Sequence, residues 1–297
     1  MMPYAMPEVA ARLFNTPLML HEGKANIIAR AFGPRVLGNE VNVRASPEMG
    51  VLTQDMRELR DGWTGEKTYN GPKMVGSVAV IEAEGSLVNK GAWVGKSSGV
   101  TSYEGLNIQI ADCHDRDDIK GAVFEIDSFG GEVDGCFNCA EDLYLLSQKK
   151  PTIAILTDHA CSAAYLIASA CRQIVIPATG YAGSIGVISM HVDASEWAKK
   201  QGLGVTILRA GERKARPGMF EAMSDEEYST AIEDLESMRV LFAETVARYR
   251  SGRISLDAAL ATEADTFRGQ KAVDLGIVDA VARPKDAFNA FLEAIGA

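Results

Sequence analysis

Histidine is scarce in this chain, and no apolar run is long enough to cross a membrane. Only four histidines, His21, His114, His159 and His191, occur among 297 residues. The longest apolar run covers residues 160–171, well short of the roughly 20 residues a membrane span needs. The N-terminus shows no basic segment followed by an apolar stretch and a small-residue cleavage site. No basic tract is present and the net charge is -10, which argues against nucleic acid as a partner, since phosphate contacts need a basic face. Cys136 and Cys139 form a Cys-x-x-Cys pair with no second pair or nearby histidine to complete it, so neither a metal nor a cofactor is expected. The five cysteines read as free thiols of a reducing compartment. Internal repeats and low-complexity tracts are also absent. A soluble, intracellular α/β chain is the expectation.

What is present alternates strand and helix. Residues 1–72 read as a separate helical arm and linker, with helical spacing over 7–14 and 21–32 and glycine-rich punctuation over 60–72. Strands are predicted over 77–83, 121–126, 152–156, 174–176, 185–190 and 205–208. Helices are predicted over 102–114, 133–147, 162–170, 194–201, 224–250 and 256–261, with a helix-then-strand unit over 269–282 and a terminal helix over 286–295. Ser102 reads as a helix cap, and Ser224 with Glu227 as a capping box. Strands alternating with helices imply crossover units and a mainly parallel sheet with flanking helices. The domain reading is therefore an arm over 1–72, an α/β domain over 73–283 and a C-terminal helix over 284–297.

Three short runs in a fixed order carry the chemistry. Asp127-Ser128-Phe129-Gly130-Gly131-Glu132-Val133 is followed by Ala160-Cys161-Ser162-Ala163-Ala164-Tyr165 and then by Gly183-Ser184-Ile185-Gly186-Val187. Ser162 stands where a strand ends and a helix begins, so first-turn N–H groups lie beside its hydroxyl. A serine there is ordinarily an N-cap. The glycine pair at the end of the preceding strand points instead to a nucleophile, because adjacent strand ends in an open α/β sheet form a crevice and glycine backbone can approach a substrate closely. Gly131 and Ala163 N–H groups are the expected oxyanion donors, with Gly130 in the substrate-binding turn. Cys161 reads as a small packing neighbour.

A serine hydroxyl needs a base, and the residues leave that base open. His21 lies in the arm, and His114 reads as a solvated helix-end residue. His159 is only three residues before Ser162, an awkward spacing for a catalytic pair. His191 is the serious histidine candidate, with Asp193 or Asp225 as its acid. Lys214, in Arg209-Ala210-Gly211-Glu212-Arg213-Lys214-Ala215-Arg216-Pro217, is the other. A lysine accepts a proton only when neutral, a form that burial and nearby positive charge favour; Arg213 and Arg216 are the charges at hand.

These runs resemble the signal peptide peptidase A family of Ser-Lys proteases, especially its branch of tailed-phage capsid maturation (prohead) proteases. The resemblance covers about residues 75–283. It is carried by Ser128-Phe129-Gly130-Gly131, by the runs around Ser162 and Ser184, by Ala210-Gly211-Glu212-Arg213-Lys214, and by Gly269-Gln270-Lys271-Ala272-Val273-Asp274-Leu275-Gly276-Ile277-Val278-Asp279. The N-terminal helices and Val246-Ala247-Arg248-Tyr249-Arg250 look like the phage branch. The resemblance implies a crotonase/Clp-protease-like fold, with Ser162 as nucleophile, Lys214 as base, Ser184 orienting the lysine and Gly131 as an oxyanion donor. Two positions depart from the family pattern, Phe129 where proline is usual and Ala164 where glycine is frequent. The capsid branch often carries a scaffolding extension after the protease; the sequence ends at Ala297, so scaffold is expected on a separate chain or cut away.

What the resemblance implies is an endopeptidase acting on scaffold or capsid protein, working as a homo-oligomer in the bacterial cytoplasm or the procapsid interior. The charged, amphipathic helix over 224–250 independently suggests a partner that covers its apolar face. Four other readings compete: a signal-peptide-peptidase-like enzyme that degrades peptides, a Clp-like peptidase using Ser162 and His191, a crotonase-type acyl-CoA enzyme, and a non-catalytic assembly protein on the same fold.

Overall fold

The parallel arrangement of the central strands follows from their side chains. In a computed structural model that describes residues 17–21, 58–60, 67–69, 71–90, 99–214 and 216–296, residues Gly121–Ser128 and Thr152–Cys161 are near-continuous apolar runs, as strands covered on both faces must be. In chain order the strands are β1 Leu18–Leu20, β2 Glu58–Arg60, β3 Lys67–Tyr69, β4 Lys73–Val75, β5 Val78–Glu84, β6 Ser86–Val88, β7 Val100–Ser102, β8 Gly121–Ser128, β9 Gly130–Glu132, β10 Thr152–Cys161, β11 Gln173–Ile176, β12 Tyr181–Gly183, β13 Thr266–Arg268 and β14 Ala280–Val281. The helices are α1 Tyr103–Asp115, α2 Cys136–Lys149, α3 Ala163–Ser169, α4 Ser195–Lys200, α5 Asp225–Tyr249, α6 Leu256–Leu260, α7 Gly269–Asp274 and α8 Pro284–Ile295.

The described residues divide into two compact units. The larger holds residues 19–21, those between 58 and 186, and 240–296; the smaller holds 17–18 and those between 187 and 239. The main sheet runs β13-β12-β10-β8-β5-β4, with β11 also on β10 and β14 on β11. β5, β8, β10, β11, β12 and β14 pair in parallel, whereas β4 and β13 are antiparallel to their neighbours. A second sheet has the order β1-β9-β6-β7, and β2 and β3 form a separate antiparallel pair. α8 lays Ala287 and Phe291 over Val78, Val123, Ile153, Ile155 and Val175, closing one side of the core. Among the described residues no helix is long and apolar enough to cross a membrane.

The α/β architecture with a mainly parallel sheet and flanking helices is as the sequence suggests. Ser102 caps α1 by accepting from Gly105 N at 3.1 Å. Ser224 and Glu227 form the reciprocal capping box of α5, with Ser224 N to Glu227 Oε2 at 2.7 Å and Glu227 N to Ser224 Oγ at 3.3 Å. α2 starts later than position 133 because Gly135 is left-handed, with φ 84°.

Two predicted strands do not form. Over 185–190 the backbone turns instead: Ser184 has φ 57° and its carbonyl accepts from Gly186 N at 3.0 Å. The strand of that region is β12, and Ile188 makes only an isolated bridge to Leu18. Residues 205–208 are likewise not a strand. Their alternating apolar pattern supplies propensity, but a strand also needs a partner backbone and a face to bury, and Leu208 is 91% exposed. In the N-terminal arm, the helix over 7–14 and all of 21–32 except His21 lie outside the described residues. The described residues of 1–72 include the strands β1, β2 and β3.

The run 269–279 is structural. Arg250 is fully buried, and its guanidinium donates to both carboxylate oxygens of Asp279 at 2.9 Å. Asp279 also accepts from Ile174 N at 2.7 Å and pairs with Arg253 Nε at 2.8 Å. Removing one member of a buried pair leaves an uncompensated charge. Asp279→Ala is expected to lower stability by about 3–5 kcal/mol, read as a fall in the urea midpoint at unchanged m-value.

Candidate active site

Register brings the first three motifs to neighbouring strand ends of the larger unit. β8, β10 and β12 are adjacent and parallel, with Ser128 opposite Ala160 and Cys161 opposite Gly183. The Gly130-Gly131 pair, Ser162 and the Gly183–Gly186 turn therefore follow the C-terminal ends of three consecutive strands. That is where open α/β sheets form their crevices.

Ser162 is not a cap. Its side chain makes no capping hydrogen bond to α3, although it immediately precedes that helix. Its backbone sits at φ 57°, ψ -122°, a region that costs a residue with a Cβ about 1–3 kcal/mol and persists only when the surroundings enforce it. The enforcing contacts are visible. Ser162 N donates to Gly183 O at 2.8 Å, Ser162 O accepts from Leu166 N at 3.0 Å, and Ser162 Oγ faces Gly186 O at 3.4 Å. α3 behind it is entirely buried and pinned by Tyr165 Oη donating to Ile277 O at 2.9 Å. The strand-to-helix turn thus strains its serine and leaves the hydroxyl free of the cap role, with the residue 1% exposed.

Gly130 lies against Ser162. A Cβ on Gly130 would stand 3.0 Å from both the Ser162 Cβ and Cys161 O and 2.2 Å from Met19 O, at φ 100°. Only glycine fits there. Ser128 organises this turn, its Oγ donating to Gly85 O at 2.6 Å and accepting from Gly130 N at 3.1 Å. With the Gly130 N–H engaged by Ser128, Gly131 is the better donor candidate of the two. Ala163 opens α3, so its N–H is among the first-turn amides that the helix itself cannot satisfy. Ser184 shares the positive φ of Ser162, is 8% exposed and donates its N–H to Asp265 O at 2.8 Å.

The cysteines are packing residues. Cys161 is 1% exposed, and burial, with the Asp127 charge second, pushes its thiol up to about 12. Cys136 and Cys139 are fully buried, with burial holding the Cys136 thiol at about 12.

Both base candidates belong to the smaller unit. Lys214 is exposed; its N–H donates to Gly211 O at 3.1 Å and its carbonyl accepts from Arg209 Nε at 2.9 Å. The positive neighbours invoked for it are not bare charges: Arg213 faces Glu226 at 3.2 Å and Arg216 faces Glu227 at 3.8 Å. The acid suggested for His191, Asp193, spends an oxygen on Ser195 N at 2.8 Å. Hydrogen bonding to Ser195 holds that carboxyl below its usual range, with His191 a lesser contributor. Asp225 is the first residue of α5.

Sequence reasoning missed a row of side chains crossing β8, β10, β12 and β13. Asp127 Oδ1 meets His159 Nδ1 at 3.1 Å, and the His159 ring lies 4.3 Å from Phe129 and 6.0 Å from Tyr181, parallel to the latter within 2°. Arg268 stands over Tyr181 at 4.4 Å. His159 and Tyr181 are register partners, as are Tyr181 and Arg268. The signal in the sequence was Asp127 beside a residue 129 that is aromatic, but only the strand register reveals the histidine facing them.

Comparison with known proteins gives this geometry a context. Residues 144–296, just over half of the chain, match the model of peptidase family S49. The chain is 30% identical over 294 residues to the head-tail preconnector protein GP5 of Enterobacteria phage P21, covering 98% of this chain and 58% of that protein. It is 27% identical over 297 residues to the capsid assembly protease C of Escherichia phage lambda, covering 98% of this chain and 66% of that one. The chain thus spans under two thirds of the length of either relative. Among solved structures it is similar to a ClpP1 from Listeria monocytogenes, at 13% identity, with 70% of this chain and 92% of that one covered and a TM-score of 0.41.

Proposed function

Since the chain belongs to peptidase family S49, we propose that it is a serine endopeptidase using Ser162 as nucleophile and Lys214 as general base, and that it cuts scaffold or capsid protein during phage head maturation. The observation that carries the reading is the strained, non-capping Ser162 packed against the Cβ-less Gly130 at adjacent strand ends. Lys214 rests on its match to the family motif Ala210–Lys214, not on geometry.

The chemistry is acyl transfer in two steps. Neutral Lys214 takes the Ser162 proton, and Oγ bonds to the substrate carbonyl carbon. The oxyanion is held by the N–H groups of Gly131 and Ala163. The C–N bond breaks, the amine leaves with the proton from Lys214, and an ester remains on Ser162. Water, deprotonated by Lys214, then splits that ester. Both sides of the strand at Gly130 are taken, by β1 and β6, so substrate does not add there as a further β-strand; Ser184 orients the lysine.

The names of the two phage relatives support a capsid-associated substrate and action in the procapsid interior. A homo-oligomer is part of the same reading, supported by the exposed Tyr228 and Ile232 of α5, at 60% and 46%. The test is to mix the purified chain with the capsid and scaffold polypeptides of its own head-gene neighbourhood and follow intact masses over time. Discrete fragments that accumulate with the wild type and not with the Ser162→Ala chain are expected. A folded wild type that leaves both polypeptides whole would point to an assembly role instead.

A further inference from the structure

The glycine pair is held as strand β9 between β1 and β6, with Ser128 on the Gly130 N–H, which leaves the residue before it as the least constrained point of the turn. Gly130 lacks a Cβ and occupies φ 100°, and Phe129 before it carries no ring that fixes its backbone. Yet an oxyanion donor works only when it is held in place before charge develops, because reorganisation at the moment of reaction is costly. Two contacts hold the Phe129 backbone and side chain. His21 N donates to Phe129 O at 2.9 Å. The Phe129 ring lies 5.8 Å from the ring of His21 and 4.3 Å from that of His159. His159 is fixed in turn by Asp127 on one edge and by the parallel face of Tyr181, which Arg268 covers. The row thus links strands β8, β10, β12 and β13 to the single residue preceding the glycine pair.

We propose that His159, held by Asp127 and Tyr181, is a positioning residue: it clamps Phe129 and thereby holds the Gly130-Gly131 backbone in register with Ser162. This rests on the serine-peptidase reading above. The clamp does for this turn what a proline ring does covalently, since proline fixes φ without help from neighbours. The tilted ring contact with Phe129, not proton transfer, is the working interaction, and the Asp127 hydrogen bond orients the His159 ring.

The experiment uses the full chain and a fluorophosphonate probe, which phosphonylates serine with loss of fluoride, and separates the limiting rate kinact from the binding constant KI. His159→Ala is expected to lower kinact about tenfold, less than the 10²–10³ that loss of an oxyanion donor costs, with KI unchanged. His159→Phe, which keeps a ring and drops the hydrogen bond, is expected to recover kinact to within about threefold of wild type. In a Phe129→Pro background the same His159→Ala change should matter by less than about twofold, because the two devices act on one backbone. Asp127→Asn, near-isosteric, gives a second reading should His159→Ala fail to fold; it is expected to slow kinact about threefold. Equal losses from His159→Ala in both backgrounds, or a His159→Phe chain as slow as His159→Ala, would overturn the clamp while leaving the peptidase intact. A folded wild type whose Ser162 takes no label would overturn the peptidase reading and the clamp with it.

Discussion

Ser162→Ala is expected to lower fluorophosphonate labelling and substrate cleavage by about 10⁴–10⁶-fold, because the proposed mechanism loses its attacking hydroxyl. Cys161, the adjacent candidate, is buried, and its thiol is pushed up to about 12. It stays protonated at neutral pH, and alkylation with iodoacetamide beforehand should leave labelling unchanged. The substitution should be structurally mild. Ser162 Oγ makes no cap, and its contact with Gly186 O is long at 3.4 Å. Losing it should change stability by less than about 1 kcal/mol, so a labelling loss with an unshifted urea midpoint assigns the effect to chemistry. Peptide mapping of the wild-type adduct completes the test. Label found on Ser184, which shares the positive φ and the burial of Ser162, would move the nucleophile one strand over.

Lys214→Ala is expected to cost about 10³-fold or more in the same assay, with His191→Ala remaining within about threefold of wild type. The contrast decides between two mechanisms that share a nucleophile. Lys214 is exposed within its own unit, and Arg213 and Arg216 each face a glutamate. Arg213→Ala and Arg216→Ala are therefore expected to leave labelling nearly unchanged, whereas Lys214→Arg, which cannot accept a proton, should be as slow as Lys214→Ala. If His191→Ala were the silent chain and Lys214→Ala the active one, the base would be the histidine and the mechanism Clp-like. Mixing the Ser162→Ala and Lys214→Ala chains adds one more reading. Recovery of labelling in the mixture would mean that the lysine of one copy serves the serine of another.

Elements whose register is written in their own residues were legible. The apolar runs of β5, β8 and β10 need cover on both faces, and that alone requires crossover helices and a mainly parallel sheet. Ser102 and the Ser224/Glu227 box set their helix starts through contacts only three residues apart. The strands over 185–190 and 205–208 failed because propensity is local and strand formation is not. One segment turns at Ser184, and the other keeps Leu208 in solvent.

The sequence by itself determined which residue types were available for catalysis: a serine and a glycine pair at strand ends, cysteines without a metal-ligand pattern, and two candidate bases, His191 and Lys214, between which the residues did not choose. It also determined the α/β class, because hydrophobic periodicity is a property of neighbours along the chain. Only the tertiary structure decided that Ser162 is strained and does not cap α3, that Gly130 touches it, and that Ser128 rather than the substrate occupies the Gly130 N–H. It alone placed His159 against Asp127 and Phe129, and gave Asp279 to the buried Arg250. Each of these depends on which strand lies beside which and in what register, and that is fixed by packing of residues tens of positions apart, information no local pattern contains.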